Sequence, residues 1–353
     1  MPRFALVGSM TVTTATHDIL LAHAAETEAL LRPAPASIEA ARKDGAFALR
    51  TPIAYGGTWA DAERTALHLA RLGRACPSTA WVAGTCATSK TMLAAQLGER
   101  AAARVFADPD ALTCGSGQPG GRAVRTGAGL RVTGRWQYVS GCADAAWASL
   151  GVMLDGTYAI MAVPLRDLSV EHTWDAAGMR GTGSHTLVAD DLSVPEEMVR
   201  PAAPPGPAAR LFFGLTLLAP MAGAARGALD VVIAMFATDR KPFMTAYARM
   251  GDSPGARHWL AEAGRLVDRA ERAMLDIARA DGSDPAGGLL AMAGAARDCQ
   301  AAIDYLLDLH GTAGFAAAHP LQRFWRDVAV GSRHPMFNRY LAMENLATAL
   351  LDG

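Results

Sequence analysis

The segment Phe324-Trp-Arg-Asp-Val-Ala-Val-Gly-Ser-Arg-His-Pro-Met-Phe337 sets a histidine, His334, just after a helical run that carries an arginine and an aspartate. An imidazole with a pKa near 6.5 can take a proton from a hydroxyl, thiol or amine at neutral pH, or hydrogen-bond a reactive oxygen. The local pattern also fits a surface histidine at a helix break before Pro335. The turn Leu309-His-Gly-Thr-Ala-Gly-Phe315 comes shortly before it. Gly311 and Gly314 would let backbone approach a bound group closely, or would simply end a helix. Arg240, in Ala237-Thr-Asp-Arg-Lys-Pro-Phe243, offers a cation to a phosphate; a solvated Arg-Lys pair is the other reading. Ser140, in Trp136-Gln-Tyr-Val-Ser-Gly141, is a hydroxyl where a strand ends, and reads equally as a turn residue. The five cysteines, at 76, 86, 114, 142 and 299, form no CxxC pair and no Cys/His cluster. No metal site is expected, and the thiols read as buried and free in a reducing cytosol.

The elements that must position these groups change character twice. Residues 10–110 carry helical spacing. Apolar periodicity over 16–25 and 26–31 ends at Arg32-Pro33, residues 61–73 read as an amphipathic helix, and Pro77-Ser-Thr-Ala-Trp81 opens another with Ser78 as its cap. His17, His23 and His68 fall on these helices and read as surface. Residues 111–207 read as a small antiparallel β-domain. Segment 130–139 alternates, 147–154 and 157–163 flank the hairpin signal Asp155-Gly156, and 185–189 and 192–194 continue the pattern. The glycine-rich run at 115–121 reads as a loop. It is not a GxGxxG fingerprint opening a helix, so no Rossmann unit is expected. The proline-rich 201–207 reads as a stiff linker, and 208–353 is helical again. The expected fold class is therefore α+β, mainly α.

With 353 residues, 51% of them hydrophobic, the chain exceeds one compact core and suggests two or three packed domains. A net charge of −1 gives no reason to invoke nucleic acid or an anionic membrane. The uncharged run 211–225 is shorter than the roughly 20 residues a span needs and reads as a buried bundle helix. No signal peptide is expected, Met1 or Met10 could be the start, and the expected compartment is the cytoplasm.

The order helices, β-domain, helices resembles the acyl-CoA dehydrogenase superfamily over nearly the whole chain, and several segments carry the likeness. Pro52-Ile-Ala-Tyr-Gly-Gly57 resembles that family's Pro-x-x-Tyr-Gly-Gly turn. Gly134-Arg-Trp-Gln-Tyr-Val-Ser-Gly141, followed by Ala146-Trp147, resembles the strand pair flanking the flavin. Trp174-Asp-Ala-Ala-Gly-Met-Arg-Gly-Thr-Gly-Ser184, then Asp190-Asp-Leu-Ser-Val-Pro195, resembles the end of the β-domain. Each motif alone is weak; their order and spacing are more specific. Where many dehydrogenases carry a Tyr-Glu-Gly-Thr-like segment, this chain reads Ser332-Arg-His-Pro335. In that it is similar to the monooxygenase branch: oxygenase components of aromatic hydroxylases, dibenzothiophene monooxygenase and amino-sugar nitrososynthases.

The resemblance implies a C-terminal four-helix bundle and a homotetramer. It implies that reduced FAD or FMN, not covalently bound and supplied by a separate flavin reductase, reacts with O2 to a C4a-hydroperoxide. That species would oxidise carbon, nitrogen or sulfur of a small, secondary-metabolic molecule. By the same resemblance His334 and Ser140 are catalytic, Ser140 as a hydrogen-bond donor near flavin N5 and the peroxide. Trp136 is preferred over Trp81 and Trp174 as the aromatic on the flavin. Arg240 reaches flavin across a subunit interface, Gly311 and Gly314 approach it, His310 could approach its diphosphate, and 115–121 lines the ring or the substrate mouth. Two alternatives stay open. One is a dehydrogenase or oxidase of acyl thioesters with Glu344 as its carboxylate base. The other is a non-catalytic protein that kept the fold.

Overall fold

The computed structural model describes residues 14–127 and 129–352; the question of Met1 or Met10 as start lies outside them. Helices come first: α1 (Thr14–Ala22), α2 (Ala24–Ala29), α3 (Pro35–Lys43), α4 (Ala62–Gly73), α5 (Pro77–Gln96) and α6 (Glu99–Val105). Asp61 starts α4 by accepting the Arg64 N–H at 2.7 Å. In α5, Pro77 occupies the first helical position, where its missing N–H is no loss. That moves the cap back to Cys76, so Ser78, expected as the cap, is buried inside the first turn. His68, expected at the surface, is buried beside Asp44, 3.4 Å away, on the inner face of α4.

Seven strands follow: β1 (Thr113–Thr126), β2 (Gly129–Val139), β3 (Trp147–Leu154), β4 (Thr157–Pro164), β5 (Ser169–Glu171), β6 (His185–Val194) and β7 (Val199–Pro201). They form one sheet in the order β5-β6-β2-β1-β3-β4-β7. The sheet is not wholly antiparallel as expected, because β1 and β3 run parallel. The turn after β2 carries the chain to where β1 begins, pinned by the Ala146 N–H on Leu112 O at 2.8 Å, so β3 starts at the same end as β1. Asp155 and Gly156, at φ 49° and 82°, make the expected tight turn between β3 and β4.

The run 115–121 is not a loop but the irregular middle of β1, with register shifts around Pro119. Two of its glycines make a slot for an indole. A Cβ on Gly121 would sit 2.5 Å from Cζ2 of Trp136, and one on Gly120 2.6 Å from its Cδ1. Trp136 lies across β1 in that slot and donates its Nε1–H to Gly151 O at 2.7 Å.

The C-terminal helices are α7 (Pro207–Phe236), α8 (Pro254–Arg279), α9 (Pro285–His310), α10 (Pro320–Gly331) and α11 (Arg339–Asp352). The first four pack together and α11 lies along α9. α7 is long and apolar enough to cross a membrane by length and composition, but 72% of its apolar window is buried in the protein. It packs against α4 and α5 through close backbone contacts: a Cβ on Gly84 of α5 would sit 2.1 Å from Thr216 O, and one on Gly223 2.0 Å from Ala70 O. This rigid contact fixes α5, whose first turns carry part of the site.

Candidate active site

Trp81, in the second turn of α5, joins two of the residues singled out in the sequence. Its indole N–H donates to Ser140 Oγ at 3.2 Å, and its ring stands edge-on to His334 with centroids 5.9 Å apart. Ser140 owes its direction to a bulge. Trp136 faces Leu187 and Val139 faces His185, so β2 carries one extra residue there. Tyr138 takes it up at φ 59°, with its side chain 72% exposed and edge-on to Trp174 at 6.2 Å. Ser140 itself turns inward and is 6% exposed.

Behind Ser140 runs a chain of buried hydroxyls. Ser140 Oγ lies 2.8 Å from Ser184 Oγ, which lies 2.7 Å from Thr182 Oγ1, which lies 2.8 Å from the Met179 carbonyl. A carbonyl only accepts, so Thr182 donates to it. Ser184 must then donate to Thr182, and Ser140 to Ser184. Ser140's hydrogen therefore points inward at rest, and Trp81 fills one of its lone pairs. The loop holding this chain is locked in place. Gly141 N–H donates to Thr182 O at 2.8 Å, and Met179 N–H donates to Asp327 Oδ1 at 2.5 Å. Burial pushes the Asp327 carboxyl up to about 7. Asp327 sits on α10, three residues after Phe324.

His334 follows the end of α10 and caps a short turn, its Nδ1 accepting the Met336 N–H at 3.3 Å. That bond puts the proton of the neutral ring on Nε2. Burial holds its pKa down to about 4, so the ring is neutral at physiological pH. At the other end of α10 lies a second cluster. Arg240 donates to His310 O at 2.5 Å and, at 3.4 Å, to His310 Nε2. The His310 ring stands 4.3 Å from that of His319, the cap of α10. With Nε2 accepting, His310 carries its proton on Nδ1, which is buried and finds no partner among the described residues. A Cβ on Gly314 would sit 3.2 Å from that nitrogen, so glycine leaves it uncovered. Burial, and then Arg240 and His319, hold His310 down to about 4. The 12 residues of α10 separate the two clusters by about 18 Å.

The sequence reading thus finds Ser140 and His334 joined through Trp81, and Arg240, Gly311 and Gly314 gathered around His310. Trp136 belongs to neither cluster: it is 1% exposed and lies in the slot of β1 with its N–H on Gly151 O. Tyr138 is the exposed aromatic beside Ser140, and sequence reasoning gave no role to it, to Ser184, to Thr182 or to Asp327, which it named only as the aspartate of the run before His334. The short polar run Gly181-Thr-Gly-Ser184 just ahead of a strand was the available signal for the hydroxyl pair. Glu344 is exposed on α11.

These residues fit a flavin. An exposed aromatic beside an inward hydroxyl suits a planar ring system, and a buried, partnerless N–H beside an arginine and an uncovered glycine suits a phosphate oxygen.

Residues 215–339 match the acyl-CoA dehydrogenase, C-terminal domain family. The fold is close to that of XiaF from Streptomyces sp. in complex with FADH2 and glycerol, with a TM-score of 0.89, 29% identity, and coverage of 98% of this chain and 95% of that one. It is thus an acyl-CoA dehydrogenase-type flavoprotein fold. The chain is 31% identical to the oxygenase component of FADH(2)-dependent resorcinol hydroxylase from Rhizobium sp. (strain MTP-10005), over 91% of this chain and 88% of that protein. It is 31% identical to the flavin-dependent monooxygenase oxygenase subunit HsaA of Rhodococcus jostii, over 88% and 90%. The chain belongs to the flavin-dependent monooxygenase oxygenase components within the acyl-CoA dehydrogenase superfamily. It is an oxidoreductase of the two-component kind, and its co-substrates are reduced flavin and O2.

Proposed function

We propose that the chain oxidises a small aromatic or heteroatom-bearing molecule of secondary metabolism at the Ser140–Trp81–His334 cluster, in the cytoplasm, with reduced flavin delivered by a separate reductase. The observation that carries this is the link, through one indole, between a buried hydroxyl beside exposed Tyr138 and a neutral, half-buried imidazole. Bound reduced flavin supplies the electrons that activate O2. Ser140 faces the ring at N5, and Tyr138 and Trp174 flank it. His334 holds the substrate's hydroxyl, thiol or amine. In its resting tautomer it donates from Nε2. Releasing the long Met336 cap bond forfeits about 1 kcal/mol and lets the ring turn, so that the freed Nδ1 takes the substrate proton. This is small against the 10²–10⁴-fold that a positioned base contributes. The Arg240–His310 cluster binds the flavin's phosphates in a neighbouring subunit of a homotetramer, which accounts for its lying about 18 Å away from the His334 end of α10.

Product and hydrogen peroxide measured per flavin oxidised test the reading. Ser140→Ala should lower product and raise peroxide, since the lost hydrogen bond is worth about 1–3 kcal/mol. Wild-type coupling and rate in both Ser140→Ala and His334→Ala would move the site elsewhere.

A further inference from the structure

We infer that the hydroxyl chain Ser140–Ser184–Thr182, ending on the Met179 carbonyl, sets Ser140 as a hydrogen-bond acceptor toward the flavin and so makes the site discriminate reduced from oxidised flavin. The inference rests on the proposed placement of Ser140 at flavin N5. It also revises the expectation, drawn from the sequence, that Ser140 is a donor there.

Reduced flavin carries a hydrogen on N5; oxidised flavin presents a bare lone pair. In the resting chain Ser140's own hydrogen is committed to Ser184, at 2.8 Å. Trp81 N–H fills one lone pair, at 3.2 Å, and the other is free. A reduced ring adds one hydrogen bond, N5–H to Ser140, and disturbs nothing. An oxidised ring can be met only if the whole chain reverses: Thr182 to Ser184, Ser184 to Ser140, Ser140 to N5. Reversal is possible because the Met179 carbonyl keeps the Trp174 indole N–H, at 2.9 Å, when Thr182 leaves it. It exchanges one bond for another, however, and gains none. All three hydroxyls are buried, with Thr182 at 0%, Ser184 at 5% and Ser140 at 6% exposure, so no solvent offers a substitute partner. The preference for reduced flavin is therefore about one neutral hydrogen bond, or roughly fivefold in affinity. Ser184 and Thr182 are positioning residues, acting on flavin only through Ser140.

The test is binding, read by quenching of tryptophan fluorescence during titration with FAD, in air for the oxidised form and after anaerobic photoreduction for the reduced form. The quantity of interest is the ratio of the two dissociation constants. Ser184→Ala removes the inner acceptor and leaves Ser140 free to donate or accept, so the ratio should fall about fivefold. Ser184→Thr keeps a hydroxyl and should keep the wild-type ratio. Thr182→Val takes away Ser184's acceptor, so the Ser140–Ser184 bond can run either way, and the ratio should fall about as far as in Ser184→Ala. Thermal melting confirms that each variant is folded. If Ser140→Ala collapses the ratio but Ser184→Ala and Thr182→Val leave it at the wild-type value, the polarity inference is wrong and the site stands. If Ser140→Ala leaves both dissociation constants unchanged, Ser140 does not face the flavin and both readings fall.

Discussion

Burial holds the His334 imidazole down to about 4, and this has a consequence for pH. A base must be neutral to act, and His334 is neutral from about pH 4 upward. The acid limb of kcat/KM that belongs to it should lie near pH 4 in the free enzyme rather than near 6.5. His334→Ala should remove that limb, lower turnover by about 10²-fold or more, and leave flavin affinity nearly intact. A pH profile with its acid limb at 6.5, unchanged in the variant, would show that His334 has no part in the proton transfer. The residue itself was legible in the sequence because it closes an ordered set of motifs. Its neutral, capped state was not, because that comes from Trp81 and Phe337, at ring distances of 5.9 and 6.0 Å, and from the Met336 backbone.

At the scale of elements, β1 and α10 show what local pattern hides. Glycines and a proline inside 115–121 argue against a strand, yet the close approach of Gly115 to Ser149 on β3 and of Gly120 and Gly121 to the indole of Trp136, placed by β2, accounts for three of the glycines. Gly121→Ala should therefore destabilise the protein by about 1–3 kcal/mol, the usual cost of overpacking, seen as a lower thermal midpoint with the same secondary structure. A midpoint within error of the wild type would mean that the slot has slack. In α10 the buried Asp327 was unremarkable as sequence, yet it holds the Met179 peptide that anchors the hydroxyl chain. Its folded pKa, about 7, lies above the unfolded value near 3.8. The folded state thus disfavours the charged form, and stability declines as pH rises from about 4 to 7, then levels off. Asp327→Asn keeps an acceptor for Met179 N–H and removes the buried charge. Its thermal midpoint relative to wild type should be more favourable at pH 8 than at pH 5. An equal difference at the two pH values would contradict the buried-charge account.

For the whole molecule, helix and strand periodicity made the α+β, mainly α class legible in advance, whereas association is an expectation that only the resemblance supplies. An apolar helix reads the same whether it is covered by its own chain or by another. The structure separates the cases. α7 is covered within the chain, while Phe243 and Met244 are each 89% exposed just after Arg240, and Tyr340, Leu350 and Leu351 on α11 are 69%, 74% and 86% exposed. We propose that another copy of the chain covers these open apolar side chains. Phe243 and Met244 lie on the segment that carries Arg240, so association and flavin binding should fail together. The double substitution Phe243→Glu, Met244→Glu leaves Arg240, His310 and the Ser140 cluster in place. Light scattering should report a smaller assembly than the wild type at micromolar concentration, and the affinity for FAD should fall by an amount comparable to that in Arg240→Ala. A wild-type protein that is monomeric under these conditions and binds FAD as tightly as the variant would show that each chain completes its own flavin site.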